Sequence, residues 1–199
     1  MQKKNTKTLI MFMPSIEEGG VEKNFLIISN FLAQKLGKLT LITISKNQKK
    51  KFKKSIKFVS LSSNVWNKFG RKIKYLLAII LLIKEIFKEK NVIVFSFQAN
   101  VYCILICKLF GVKVISRANS AKYSITNNWL KHIIFKIFLN SADKVVVNSE
   151  QFKKDLRKKF NLVATCIYNP LNSEEIIKKS KRKSSKIFNL NNKIKIINI

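Results

Sequence analysis

Two adjacent glycines, Gly19 and Gly20, follow an apolar run and a proline and precede a helical pattern, in MFMPSIEEGGVEKNF. Bare backbone at a strand-to-helix turn has two uses. It permits tight or left-handed geometry, and it lets a ligand approach the N–H groups of the first helical turn. The helix dipole favours an anion there, and a phosphate suits the site. A second reading stays open, in which the pair only makes the turn. Glu22 reads either as a first-turn acid complementing the dipole or as a group facing the same ligand. Further polar residues stand where other apolar runs stop: Arg117 and Asn119, Asn148 and Ser149, and Asn169 with Pro170.

Several chemistries are excluded. No G-x-G-x-x-G follows the first apolar run, and the second ends in Lys46 rather than in an acid that would hold a nicotinamide ribose. There is no G-x-x-x-x-G-K-[ST] and no G-x-S-x-G. Cys103, Cys107, Cys166 and His132 do not have zinc-ligand spacing. Buried free thiols, and a core or boundary histidine, are expected instead.

These residues need elements to hold them. TLIMFM (8–13) reads as a buried strand. Phe25, Ile28, Phe31, Leu32 and Leu36 form one stripe of a helix over 21–36, which Gly37 ends. Strands two and three are expected at 39–44 and 56–61, with a basic connection over 46–54. A long helix is expected over 66–88 and strand four at 92–97. A helix over 101–110 stops at Gly111, and strand five covers 113–119. A helix over 129–139 precedes strand six at 144–149. Ser149 can cap the helix 150–159, and strand seven covers 162–168. Strands alternating with crossover helices give the α/β class with a mostly parallel sheet, and near-continuous apolar strands imply helices on both faces. The expectation is a Rossmann-like three-layer domain over 1–172. In open sheets of this kind, ligands bind outside the carboxyl ends of the strands, which picks out the exits PSIEEGG, FQAN, RANSAKY, NSEQ and NPLN. A basic linker is expected over 173–192, and 193–199 reads as the start of another strand.

Charge is the extreme property. Forty Lys and Arg stand against ten Asp and Glu, a net charge of +30. Such a field attracts nucleic acid, anionic lipid or phosphorylated small molecules. Lysine filling solvated positions by default is the other reading. The longest apolar run, YLLAIILLI (75–83), is far short of the ~20 residues a membrane span needs, so a soluble or peripheral protein is expected. The stretch from Trp66 to Lys90 combines aromatic and apolar residues with Lys and Arg at both ends. It suits either an interfacial helix on anionic lipid or a buried crossover helix.

The residues also carry a resemblance. MPSIEEGGVEKNFLIISNFL resembles the opening of the amino-terminal domain of glycosyltransferase family 4. VISRANS (114–120) is similar to the family's fifth-strand exit, ADKVVVNSEQFKKDL (142–156) to its next strand and helix, and IYNPLN (167–172) to the segment leading out of the first domain. KIKIINI (193–199) resembles the first strand of the second domain. The resemblance implies the amino-terminal half of a GT-B fold, in which two Rossmann-like domains face each other across a cleft. It implies sugar transfer from a nucleotide-diphosphate donor with retained anomeric configuration. No metal is implied, and no cofactor besides the donor substrate. The first domain mainly recognises the acceptor, while the second binds the nucleotide and carries a basic clamp and two glutamates.

Neither clamp nor glutamate pair is in this sequence, so the chain is expected to be truncated at the domain junction and catalytically incomplete, with its catalytic residues unknown. Carried over by position, Gly19 and Gly20 would face the donor pyrophosphate with Glu22 beside them. Arg117, Asn119, Asn148 and Ser149 would line the acceptor side of the cleft, and Asn169 and Pro170 the domain junction. Many relatives place a His at the fifth-strand exit, and here there is none. The acceptors implied are cell-envelope glycans or lipid-linked sugars, which places the protein in the cytoplasm or on the inner face of the cytoplasmic membrane. The competing reading is a non-enzymatic basic module for nucleic acid or anionic membrane. The sequence has no known RNA- or DNA-binding motif, and no specific nucleic acid partner is expected.

Overall fold

Side chains of the first strand alternate between the two sides of a sheet, as a period of two requires. Ile10 and Phe12 pack into one core and Met11 and Met13 into another, and all four are fully buried. The computed structural model describes residues 7–17, 19–61, 66, 69–89, 91–119 and 129–181. The strands are β1 (Thr8–Phe12), β2 (Leu39–Ile42), β3 (Lys57–Val59), β4 (Val92–Ser96), β5 (Lys113–Ala118), β6 (Lys144–Val147) and β7 (Thr165–Cys166). They form one sheet in the order β3-β2-β1-β4-β5-β6-β7, and every pairing is parallel. The chain therefore builds outward from β1 to β3, then crosses back to lay β4 on the other side of β1.

The helices are α1 (Gly20–Lys35), α2 (Arg71–Lys88), α3 (Asn100–Leu109), α4 (Trp129–Ser141), α5 (Glu150–Phe160) and α6 (Ser173–Ser180). On one side of the sheet, α1 buries Phe25 edge-on against Phe97 and Phe52, with ring centroids 5.0 and 6.0 Å away. Such edge-to-face pairs contribute about 0.5–1.5 kcal/mol each beyond their buried area. On the other side, α2 to α5 share a core through Leu82, Ile104, Leu139 and Leu156. Cys103 and Cys107 are buried in that core, and all three cysteines are free thiols.

The α/β class, the helix–strand alternation and the parallel sheet match the expectation, and several boundaries differ. The long helix starts at Arg71, after Gly70, and not at 66. Trp66 instead lies 5.4 Å from the Phe69 ring, before the helix begins. The basic connection contains a short 3-10 helix, Lys46–Lys51. Helix α1 ends at Lys35 with Leu36 in extended backbone, so Gly37 is not its stop. Gly111 does end α3, at φ 63°, with the Val112 N–H donating to the Cys107 carbonyl at 2.7 Å. Only Thr165 and Cys166 of the expected seventh strand pair, while Leu162 and Ala164 before them are buried against the core. Part of the expected linker is α6; its sequence SEEIIKKS runs from acids to lysines, an order that suits the helix dipole. The strand expected at 193–199 lies outside the described residues.

Candidate functional site

The strand order reverses between β1 and β4, and the polar residues at this switch point interlock. The Ser15 N–H donates to Gln98 Oε1 at 3.2 Å, joining the exit of β1 to the exit of β4. From the other side, the Ile16 N–H donates to Ser45 Oγ at 2.9 Å, beyond β2. The loop after β1 is thus gripped by both neighbours, and it delivers the chain to Gly19, the N-cap of α1.

Gly19 has φ −171° and ψ 173°, extended backbone that any residue adopts. Among the described glycines only Gly111 has a positive φ. The glycine pair is therefore not needed for a left-handed turn. What it provides is space. A Cβ at Gly19 would lie 2.6 Å from Glu22 Oε2, and a Cβ at Gly20 would meet nothing within 4 Å. No side chain caps α1 at Gly19. Glu22, at the third helical position, folds its carboxylate back over Gly19, the placement of a capping-box acid. A negative group already stands at the start of α1.

Glu17 stands before the glycines, paired with Arg71 of α2 at 2.8 Å and accepting from Ser15 Oγ at 3.1 Å. The Arg71 hydrogen bond holds its carboxyl below the usual range against the opposing effect of burial.

Arg117 was expected to line the acceptor side of the cleft. It lies inside the protein instead, 1% exposed. The exit of β7 covers it: one guanidinium nitrogen donates to the Ile167 carbonyl at 3.2 Å and to Asn169 Oδ1 at 3.0 Å. Its Cζ stands 5.7 Å from the centre of the Phe97 ring. No carboxylate among the described residues pairs with it, its Nε has no partner there, and burial draws its pKa down. Arg117 and Asn169, assigned separately to cleft and junction, are therefore one hydrogen-bonded unit. Pro170 follows it, half-buried.

Asn119 ties the exits of β5 and β4 together, donating to the Phe97 carbonyl at 2.9 Å. Ser149 accepts from the Phe152 N–H at 3.2 Å and so caps α5. Asn148 is half-buried beside it. His132 is half-buried with its ring 4.6 Å from that of Phe160, as a boundary histidine would be. Among the described residues, no three His, Cys, Asp or Glu side chains converge.

The strand-exit rule marked FQAN (97–100) but gave Gln98 and Asn100 no role. Asn100 accepts from Ser96 Oγ at 2.8 Å and donates to the Arg117 carbonyl at 2.9 Å, bracing β4 against β5. The only signal was position, since both amides lie just past the end of a strand.

The family model described as Glycosyltransferase Family 4 matches residues 18–175. No curated protein matches the chain. Among solved structures, Anabaena HepE in complex with UDP and glucose is similar at 12% identity and a TM-score of 0.57, over 83% of this chain and 45% of that one. Phytolacca americana UGT2, complexed with UDP-2fluoro-glucose and pterostilbene, is similar at 10% identity and a TM-score of 0.56, over 86% and 56% of the two chains. At such identities the likeness shows the fold, the Rossmann-like half of a GT-B enzyme. The chain spans about half the length of these solved structures.

Proposed function

The chain belongs to glycosyltransferase family 4, and on that premise we propose that it supplies the acceptor-side wall of a GT-B cleft. The reaction proposed is transfer of a sugar from a nucleotide-diphosphate sugar to a cell-envelope glycan or lipid-linked acceptor, with retention at the anomeric carbon. The acceptor would put the protein in the cytoplasm, at the inner face of the membrane.

The observation that carries this reading is the glycine pair. Its backbone is ordinary at Gly19, its surroundings are open at Gly20, and it sits at the N-terminus of α1 beside the switch point. Glycine there leaves N–H groups accessible to a pyrophosphate. Glu22 would swing out as the phosphate arrives, because both cannot occupy the same end of the helix. Charge developing on the departing nucleotide would be stabilised electrostatically, with no protein nucleophile required. Arg117 would act as a positioning residue, fixing Asn169 where the chain leaves the sheet. Asn119 and Asn148 would line the acceptor side.

The test is a transfer assay with a panel of nucleotide sugars, UDP-sugars first, using the chain alone and the chain supplied with a donor-binding second half. Turnover is expected only with both halves. Turnover by the chain alone would overturn the claim that it is catalytically incomplete. The +30 charge supports a second reading, a basic module for polyanions. A steep fall of RNA binding with salt would favour that reading, and absent or salt-insensitive binding would remove it.

A further inference from the structure

Three neighbouring helices carry apolar stripes on the side turned away from the sheet. On α2, Ala78, Leu82 and Ile86 face the core, while Ile73, Leu76, Ile80 and Phe87 recur on the opposite side of the same helix. Leu76 is 62% exposed and Phe87 73%. On α3, Cys103, Ile104 and Cys107 point inward, and Tyr102, Leu105 and Leu109 outward. On α4, Leu139 is the buried residue, and Leu130, Ile134 and Ile137 are exposed. Helix α3 packs against both α2 and α4, so the stripes lie side by side in one layer. The rings of Phe87 and Phe110 meet edge to face at 5.1 Å across the seam between α2 and α3. Exposed apolar stripes on adjacent helices mark an interaction site.

Charge selects the occupant. Lysines flank the stripes, Lys72 and Lys84 on α2 and Lys136 on α4, while Lys108 of α3 pairs with Asp143, just past α4, at 2.7 Å. Helices α3 and α4 contain no acid. The one acid within α2, Glu85, is buried and paired with Lys57 and Lys88. A second copy of this chain would bring lysine against lysine. An anionic bilayer meets both features: apolar side chains and lysine stems enter the headgroup–acyl boundary while the ammonium groups reach lipid phosphates. None of the described helices is long and apolar enough to cross a membrane, so the contact is in the plane of the surface.

We propose that the α2–α3–α4 face lies flat on an anionic membrane. The sheet then runs parallel to the bilayer, and the strand exits open sideways along its surface, within reach of an acceptor carried there. This deepens the membrane part of the function proposed above and does not depend on sugar transfer.

The experiment is flotation of the full chain with phosphatidylcholine vesicles, with and without phosphatidylglycerol. Binding to the anionic vesicles is expected. Leu76→Glu/Phe87→Glu and Leu109→Glu/Ile137→Glu should each weaken it at least about tenfold. Phe31→Glu, on α1 across the sheet, should leave it unchanged. Circular dichroism of each variant separates lost binding from lost folding, and the two double variants on different helices guard against one failing to fold. No flotation at low salt would overturn the proposal. So would flotation that the glutamate variants leave intact, which would mean diffuse charge alone. Self-association dispersed by those variants, without vesicle binding, would assign the face to a second copy and also overturn it. Transfer to a water-soluble acceptor analogue needs no vesicles, so failure of the catalytic reading is seen separately.

Discussion

Position 20 separates a turn glycine from a ligand glycine. Gly20→Ala adds a methyl group into open space, at the first position of a helix. Stability in urea should stay level or rise, by up to about 1 kcal/mol from helix propensity. If the pair serves a phosphate, the same change should weaken donor binding in the assembled two-half enzyme. Glu22→Gln works in the opposite sense: removing the acid should cost about 0.3–1 kcal/mol through the helix dipole while raising affinity for inorganic phosphate, measurable by calorimetry. Deeper in the same edge, Asn169→Ala takes an acceptor from the buried Arg117 guanidinium and should destabilise by about 1–3 kcal/mol. Arg117→Met should cost less than Arg117→Ala, because it keeps the volume against Phe97. The sequence placed Arg117 at the right edge of the sheet but not on the right side of the surface. Whether a strand-end arginine faces solvent depends on what covers it, and here the cover comes from Ile167 and Asn169, far along the chain.

Elements were legible where one periodicity dominated. Strand β1, helix α1 and helix α5 with its Ser149 cap follow from pattern alone. The start of α2 did not, since apolar residues continue on both sides of Gly70, and β7 did not, since the apolar run 162–168 extends on both sides of the two residues that pair. Nor did the spacing reveal what joins α2 to β3. Glu85, 2% exposed, pairs with Lys57 of β3 at 2.6 Å and with Lys88 at 3.2 Å. Burial alone would push its carboxyl up, but the lysine hydrogen bonds outweigh it and the net direction is down. A carboxyl lowered on folding contributes stability above the ordinary glutamate range, and that stability is lost as pH falls through the lowered value. Lys57, raised by its bond to Glu85, contributes below the ordinary lysine range and loses its share as pH climbs through the raised value. Denaturation followed against pH should therefore show an acid limb that Glu85→Gln blunts. Lys57→Met should cost about 1–2 kcal/mol at neutral pH, less than a fully buried pair because Lys57 is half-exposed.

For the molecule as a whole, +30 on 199 residues is a self-repulsion that the fold must overcome. The thermal midpoint should rise with added sodium chloride as the screening length shortens, and a flat response in scanning calorimetry would show the lysines too dispersed to oppose one another. The order of the sheet carries a different consequence. Thr8 of β1 pairs with Val92 of β4, the distant partner that completes the centre. During synthesis β1 and α1 leave the ribosome early, with Ile10 and Phe12 unable to close their core until β4 and the helices of its face have followed. The nascent chain therefore carries β1 unpaired on one edge until β4 has been made, the interval in which a holdase chaperone has most to protect.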